Sequence, residues 1–366
     1  MSTTVLFAGG GTGGHLYPGL AIARALVRMD ADAHPFFIGA RRGIERTVLP
    51  GTEFPHLLLD LHPLYRTRPW ENWRTMRGAL SAWRELGALA RSEHPRLVVG
   101  TGGYAAGVTQ AYAVAHGIPV VQQAGDSHPG LTARAFRRWT REYYLAFPEA
   151  GRVLGGDSTH FIDTGAPIEP PPTPRPDRVL ARAAWGLPAI GGHVLLMYGG
   201  SQGSRAMNLV VAEWVRRGLP DGLYLIWMTG TPSFKEFAPL DGGAVRVREY
   251  LSPIADAYAA ADLALARAGA MTTAELFAWE IPPILVPLPT AAADHQSINA
   301  QTLAAAGAAV NVPQSEFTVD RLEREVLALI REPGTFARLR AGAAARARPD
   351  AAQRIAGHIS AMLRNR

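Results

Sequence analysis

Short apolar runs alternate with stretches of helical periodicity along most of the chain. Residues 4–8 form the first run, and behind it Leu20, Ile22, Ala23, Leu26 and Val27 fall close to one helical face. Residues 35–39, 57–59, 97–100, 119–121 and 143–146 follow as short strands of the buried type, most of them separated by helical stretches. That alternation predicts a parallel α/β sheet. Residues 169–176, Glu-Pro-Pro-Pro-Thr-Pro-Arg-Pro, admit neither helix nor central strand and read as a linker. Beyond them the pattern restarts: a strand at 193–198, a helix at 205–217, and strands at 224–228, 245–247, 263–266 and 284–288. The fold class expected is therefore α/β, with two doubly wound parallel sheets in domains 1–165 and 166–349. Two such sheets facing each other would enclose a cleft.

Composition narrows the chemistry. With 366 residues, 48% of them hydrophobic, the chain can bury a large core. A net charge of +6 suits an anionic partner such as phosphate, a membrane surface or nucleic acid. Lys235 is the only lysine, so nearly all the positive charge is arginine. The absence of cysteine excludes disulfides, thiol catalysis and thiolate metal sites, and fits a cytoplasmic protein. No signal peptide is read before the first strand, and no uncharged apolar run approaches the ~20 residues that span a bilayer. Membrane contact is expected to be peripheral.

Each half carries a glycine loop directly behind its first strand: Gly9-Gly10-Gly11-Thr12-Gly13-Gly14-His15 in one, Gly199-Gly200-Ser201-Gln202-Gly203-Ser204 in the other. Strand, glycine loop and helix is the arrangement whose free N–H groups collect negative charge. His15 adds a group able to move a proton near neutral pH. Gly9, Gly11 and Gly14 also satisfy the dinucleotide fingerprint G-x-G-x-x-G, and Arg41-Arg42 after the second strand would suit a 2′-phosphate. An NADP-dependent oxidoreductase thus stays open on this loop alone. A tight turn explains Gly9 and Gly14, but not a glycine run that ends in histidine. The single D-x-D, Asp30-Ala31-Asp32, falls between the first helix and second strand and reads as a solvated turn, so no metal is expected.

Five segments, in order, make the reading specific. Residues 10–19 (GGTGGHLYPG), Gly102-Gly103-Tyr104, the loop 199–204, residues 267–275 (RAGAMTTAE), and Asp294-His295-Gln296 with Asn299-Ala300 resemble the motifs of the MurG family. These are bacterial UDP-N-acetylglucosamine:lipid I N-acetylglucosaminyltransferases, in glycosyltransferase family 28. The resemblance covers essentially the whole chain. It implies the GT-B fold, two Rossmann-like domains facing a cleft, with the last helix (350–366) crossing back to complete the first domain. The donor implied is UDP-GlcNAc, the acceptor an undecaprenyl-linked muramyl-pentapeptide, and no cofactor or metal is required. The place implied is the cytoplasmic face of the plasma (inner) membrane.

The resemblance also carries roles. Arg267, Gly269, Ala270, Met271 and Thr272 follow a strand and open a helix, whose N–H groups and dipole would hold the diphosphate and stabilise the leaving UDP. Glu275, one turn on, would accept both ribose hydroxyls, and the backbone of Leu251 would meet the uracil. Ser201 and Gln202 would approach the diphosphate or the acceptor, and His295 and Gln296 the sugar hydroxyls. On the acceptor side stand Thr12, Gly13, Gly14, Gly103 and Tyr104, with His15 the candidate base for the attacking hydroxyl. The alternative role for His15 is to bind acceptor phosphate or orient the loop.

Three departures fall on the acceptor wall and hinge. Gln123-Ala124-Gly125-Asp126 stands where the family usually has His-Glu-Gln-Asn, Ala133 replaces an asparagine, and Glu169 an arginine. Asp126 could substitute for a lost polar contact or serve as base in place of His15. A related transferase with another glycolipid or secondary-metabolite acceptor therefore stays open, as do a UDP-sugar epimerase and a non-catalytic nucleotide-sugar binder. Residues 64–84 mix aromatic residues with arginine, and Trp70, Trp73, Arg74, Arg77 and Trp83 are the expected contacts with an anionic membrane surface. The bland reading is an amphipathic helix with its tryptophans in the core. No nucleic-acid motif is recognisable.

Overall fold

The computed structural model describes residues 3–61, 72–155 and 158–365, without the side chains of 72–76 and 158. The chain divides into two compact units: Met1–Glu169 with Asp350–Arg366, and Pro170–Pro349. The division falls at the first residue of the proline run.

The first unit holds strands β1 (Thr3–Gly9), β2 (Ala33–Ala40), β3 (His56–Leu59), β4 (Leu97–Gly102), β5 (Val120–Ala124), β6 (Thr140–Leu145) and β7 (Phe161–Asp163). All pair in parallel, in the order β3-β2-β1-β4-β5-β6-β7. The second unit holds β8 (His193–Tyr198), β9 (Leu223–Met228), β10 (Val245–Arg248), β11 (Leu263–Ala266), β12 (Pro283–Leu285) and β13 (Val310–Asn311). These are parallel in the order β10-β9-β8-β11-β12-β13. In each sheet the order reverses beside the first strand, at β1/β4 and at β8/β11. Helices on either side of such a point leave in opposite directions, which opens a crevice at the carboxyl ends of those strands.

The strands form because their residues are buried on both faces. Val5 to Ala8 and Val194 to Met197 are at most 2% exposed, so alternation disappears and the run is apolar throughout. The helices that carry the site are α1 (Gly13–Met29), α2 (Asn72–Glu93), α3 (Gly103–Ala115), α4 (Arg205–Arg217), α5 (Ala270–Ala278), α6 (His295–Ala305) and α7 (Ala351–Arg364). Helix α7 packs on α1, burying Ala352, Ile355, Ala356 and Ile359 with Leu16, Leu20 and Leu26 in one cluster. Ser360 Oγ reaches Asp30 Oδ2 at 3.2 Å, and Asp30 Oδ1 accepts the Asp32 N–H. The D-x-D is thus a capped turn tied to the last helix. Among the described residues no group of three metal-binding side chains is gathered in one place.

Three differences from the sequence expectation have local causes. Strands β7 and β13 are edge strands of three and two residues, too short for a periodic signal. Strand β12 ends at Leu285 and not at 288, because Pro287 has no N–H for the ladder. Strand β5 runs on to Ala124, where Gln122 is satisfied sideways: its Nε2 donates to Thr140 Oγ1 at 2.6 Å and to Tyr143 Oη at 3.0 Å.

Candidate active site

In the first unit the carboxyl ends of β1, β4 and β5 lie along one sheet edge and bring the loops after them together. Thr12 is the N-cap of α1 in extended conformation, and no side chain caps its first turn. The His15 N–H donates to Thr12 O at 3.1 Å, and the N–H groups of Gly13 and Gly14 point out of the helix end. His15 Nδ1 lies 2.9 Å from the Gly10 carbonyl oxygen. A carbonyl can only accept, so this nitrogen carries the proton and Nε2 is left as the basic atom. Thr101 Oγ1 donates to the His15 carbonyl at 2.7 Å, anchoring the same residue to β4.

Two glycines make room for the imidazole. Gly102 has φ +110, and a Cβ there would lie 2.6 Å from His15 Cδ2. Gly103 has φ +81, and its Cβ would fall 2.2 Å from the Gly10 carbonyl oxygen. Tyr104 follows on the first turn of α3, its ring 3.5 Å from where a Cβ of Gly11 would stand. Asp126 is half-buried in the loop after β5. Thr12, Gly13, Gly14, His15, Gly103, Tyr104 and Asp126 therefore share one sheet edge.

In the second unit the loop after β8 is a tight turn. Gly203 N–H donates to Gly200 O at 2.8 Å, and a Cβ on Gly203 (φ +73) would strike Thr229 O at 1.9 Å. Ser201 and Gln202 are exposed at its tip, and Ser204 caps α4. Across the switch point Gly269 is the N-cap of α5 and no side chain caps that helix, so the N–H groups of Ala270, Met271 and Thr272 point out of its end. Glu275 lies one turn in, half-buried, with Tyr258 Oη donating to its Oε2 at 2.8 Å and Tyr198 Oη 3.0 Å beyond. Burial pushes the Glu275 carboxyl up, and the Tyr258 bond works the other way. Neither tyrosine is marked by a local motif; both come from apolar elements.

The Arg267 side chain has a structural part to play beside the turn it belongs to. Its guanidinium is 7% exposed and donates to Val286 O, Pro287 O, Ser204 Oγ and Gln314 Oε1 at 2.7–3.0 Å. Four acceptors occupy the fork, and burial lowers the group to about 10. The side chain braces the β8 loop against the segment after β12, and its backbone leads into the open N-terminus of α5. His295 Nδ1 donates to Ala292 O at 2.7 Å, while Gln296 Oε1 accepts the Leu288 N–H at 3.0 Å. Asn299 Nδ2 reaches Ala268 O and ties α6 to the same turn. The Leu251 side chain is buried in the same apolar cluster as Tyr258.

Of the expected membrane contacts, Trp70 and the side chains of Trp73 and Arg74 lie outside the described residues. Trp83 turns inward: its ring is 5.2 Å from Tyr112 and 5.9 Å from His116, packed on the core. The helical period explains the difference: Ala82 and Leu86 face the core, Trp83 is half-buried at the flank of that face, and Arg77, Leu80 and Arg84 lie on the exposed side, with Leu80 56% exposed. No helix among the described residues is long and apolar enough to cross a membrane.

Two parallel sheets, each with a glycine loop and an open helix N-terminus at its switch point, are the two Rossmann-like domains of the GT-B fold class. Residues 5–145 match the glycosyltransferase family 28 N-terminal domain and residues 194–355 the family 28 C-terminal domain. The chain belongs to glycosyltransferase family 28. A relative from Salinibacter ruber, named UDP-N-acetylglucosamine--N-acetylmuramyl-(pentapeptide) pyrophosphoryl-undecaprenol N-acetylglucosamine transferase, is 36% identical, with 98% of this chain and 96% of that protein covered. The protein of the same name from Desulforudis audaxviator is 37% identical, with 96% of each covered. Among solved structures, Acinetobacter baumannii MurG is similar with a TM-score of 0.76 and 25% identity, over 98% of this chain and 99% of that one.

Proposed function

We propose that this protein transfers N-acetylglucosamine from UDP-GlcNAc to the 4-hydroxyl of the muramyl sugar of lipid I, the undecaprenyl-linked muramyl-pentapeptide, forming lipid II. What carries the reading is one conjunction: an open α5 N-terminus with Glu275 a turn further on, in a chain matched end to end by transferases of that name. The diphosphate sits on the N–H groups of Ala270, Met271 and Thr272, Glu275 takes the ribose hydroxyls, and the Leu251 backbone meets the uracil. His295 and Gln296 hold the sugar, with Ser201 and Gln202 beside the diphosphate. Nε2 of His15 takes the proton as the acceptor hydroxyl attacks the anomeric carbon, and the configuration inverts. Negative charge on the departing UDP is met by fixed N–H dipoles, so the reading needs no metal.

The assay is UDP release from UDP-GlcNAc. Release that requires a muramyl lipid is the expected result, unchanged in EDTA. Interconversion of the donor without acceptor would make the protein an epimerase, and NADPH binding without UDP binding would overturn the donor assignment. A second reading keeps the donor and changes the lipid acceptor. It is favoured by Gln123, 4% exposed, whose carboxamide finds no partner among the described residues, next to Ala124 and Gly125 where the family carries larger polar groups. Release with another glycolipid and none with lipid I would decide for it.

The lipid acceptor places the reaction at the cytoplasmic face of the inner membrane, with peripheral attachment and no role for nucleic acid. Arg77, Leu80 and Arg84 on α2 supply the basic and apolar groups for an anionic surface. Flotation with anionic liposomes that persists when all three are changed to serine would remove that face.

A further inference from the structure

Glu45 lies outside every motif and is 0% exposed. Its Oε1 accepts the Gly11 N–H at 2.8 Å and the Ala40 N–H at 3.2 Å. Three glycines from three segments make the space: Cβ atoms on Gly10, Gly39 and Gly43 would lie 1.6 Å from Oε1, 2.8 Å from Cβ and 1.9 Å from Oε2 of this one side chain. Oε2 itself finds no partner among the described residues. A buried carboxyl with one oxygen unpaired is costly to keep. The geometry on its other oxygen shows what it serves.

The Gly11 N–H and the Gly10 carbonyl belong to a single peptide group. The N–H donates to Glu45, and the carbonyl accepts from His15 Nδ1 at 2.9 Å. Hydrogen bonds in series polarise one another, so a carboxylate on the N–H makes the carbonyl at the far end a stronger acceptor. We propose that Glu45, acting through the Gly10–Gly11 peptide, is a positioning residue that holds His15 as the Nδ1–H tautomer with Nε2 bare. It does for His15 what a directly bonded carboxylate does for a catalytic imidazole, one peptide removed. The inference rests on the reading of His15 as the base. Thr12 Oγ1 lies 3.5 Å from Nδ1 and Glu45 lies behind the peptide, while Tyr104 on α3 stands against Gly11 and Tyr17 on α1 against Gly13 of the same loop.

The test is nitrogen NMR of the full-length protein with labelled histidine, at a pH where the ring is neutral. Wild type should show His15 protonated on Nδ1. In Glu45→Gln, which keeps an oxygen for both N–H groups but removes the charge, the Nδ1–H share should fall. Turnover should drop about tenfold, with KM for UDP-GlcNAc unchanged. A wild-type ring protonated on Nε2 overturns the proposal even if the variant does not fold; so does a folded Glu45→Gln with the wild-type tautomer ratio. If His15→Ala keeps full turnover, the base assignment fails separately, and the tautomer measurement still judges the relay.

Discussion

The proposed function gives Glu275 and His15 the two halves of the chemistry, and their removal should be told apart by kinetics. A carboxylate accepting two ribose hydroxyls makes charge-assisted bonds of about 1.5–3 kcal/mol each. Glu275→Ala should therefore weaken UDP binding by tenfold or more in calorimetry, whereas His15→Ala should leave binding intact and lower kcat. The pH dependence has a definite sign. Only the deprotonated Glu275 accepts both hydroxyls, and burial raises its pKa above the ordinary 4.5. UDP affinity should then decline as pH falls, beginning above the usual carboxylate range, and Glu275→Gln should lack that limb. An affinity that stays flat down to pH 4.5 would contradict the ribose role. Both residues were legible because they sit inside contiguous motifs. Glu45 was not: its N–H partners Gly11 and Ala40 come from the ends of two strands, and only the fold joins them to residue 45.

At the scale of elements, the turns after β1, β4, β8 and β11 are held by contacts that the chain order hides. Arg267 is the clearest case, since it opens the turn assigned to the diphosphate while its guanidinium donates to Val286 O, Pro287 O, Ser204 Oγ and Gln314 Oε1. Arg267→Met should leave those acceptors unpaired and cost about 3 kcal/mol in urea unfolding, with the donor affinity falling only as the loop loosens. A variant as stable as wild type would show the brace to be dispensable. Gly102→Ala should be milder in stability, about 1–3 kcal/mol for a strained φ, yet severe in turnover because the new methyl displaces the His15 ring. The major strands could be read from sequence because residues such as Leu195, Leu196, Leu263 and Leu265 are fully buried and leave an unbroken apolar run. The edge strands β7 and β13 could not, having two or three residues and no alternation. The inward turn of Trp83 was equally hidden, since a helix that mixes tryptophan and arginine reads alike whichever face packs.

At the scale of the whole molecule, the chain leaves its first unit at Glu169 and returns to it at Asp350, so α7 folds with residues more than 300 positions earlier. Its contribution is large: Ile355 and Ile359 are both 0% exposed and lie against α1, the helix that begins with Gly13 and carries His15. Truncating either isoleucine to alanine should cost about 2–5 kcal/mol. Each unit has its own apolar clusters, one built on β1, β4 and α1, the other on β8, β9, β11 and α4. The loss should therefore fall on one unit alone. Denaturation of Ile355→Ala should move the transition of the first unit to lower urea and leave that of the second in place. Calorimetric UDP affinity should stay at the wild-type value, because every proposed donor residue lies between Pro170 and Pro349. Two transitions that shift together, or UDP binding lost with the first, would mean that the returning helix stabilises both units and that the donor half does not stand by itself.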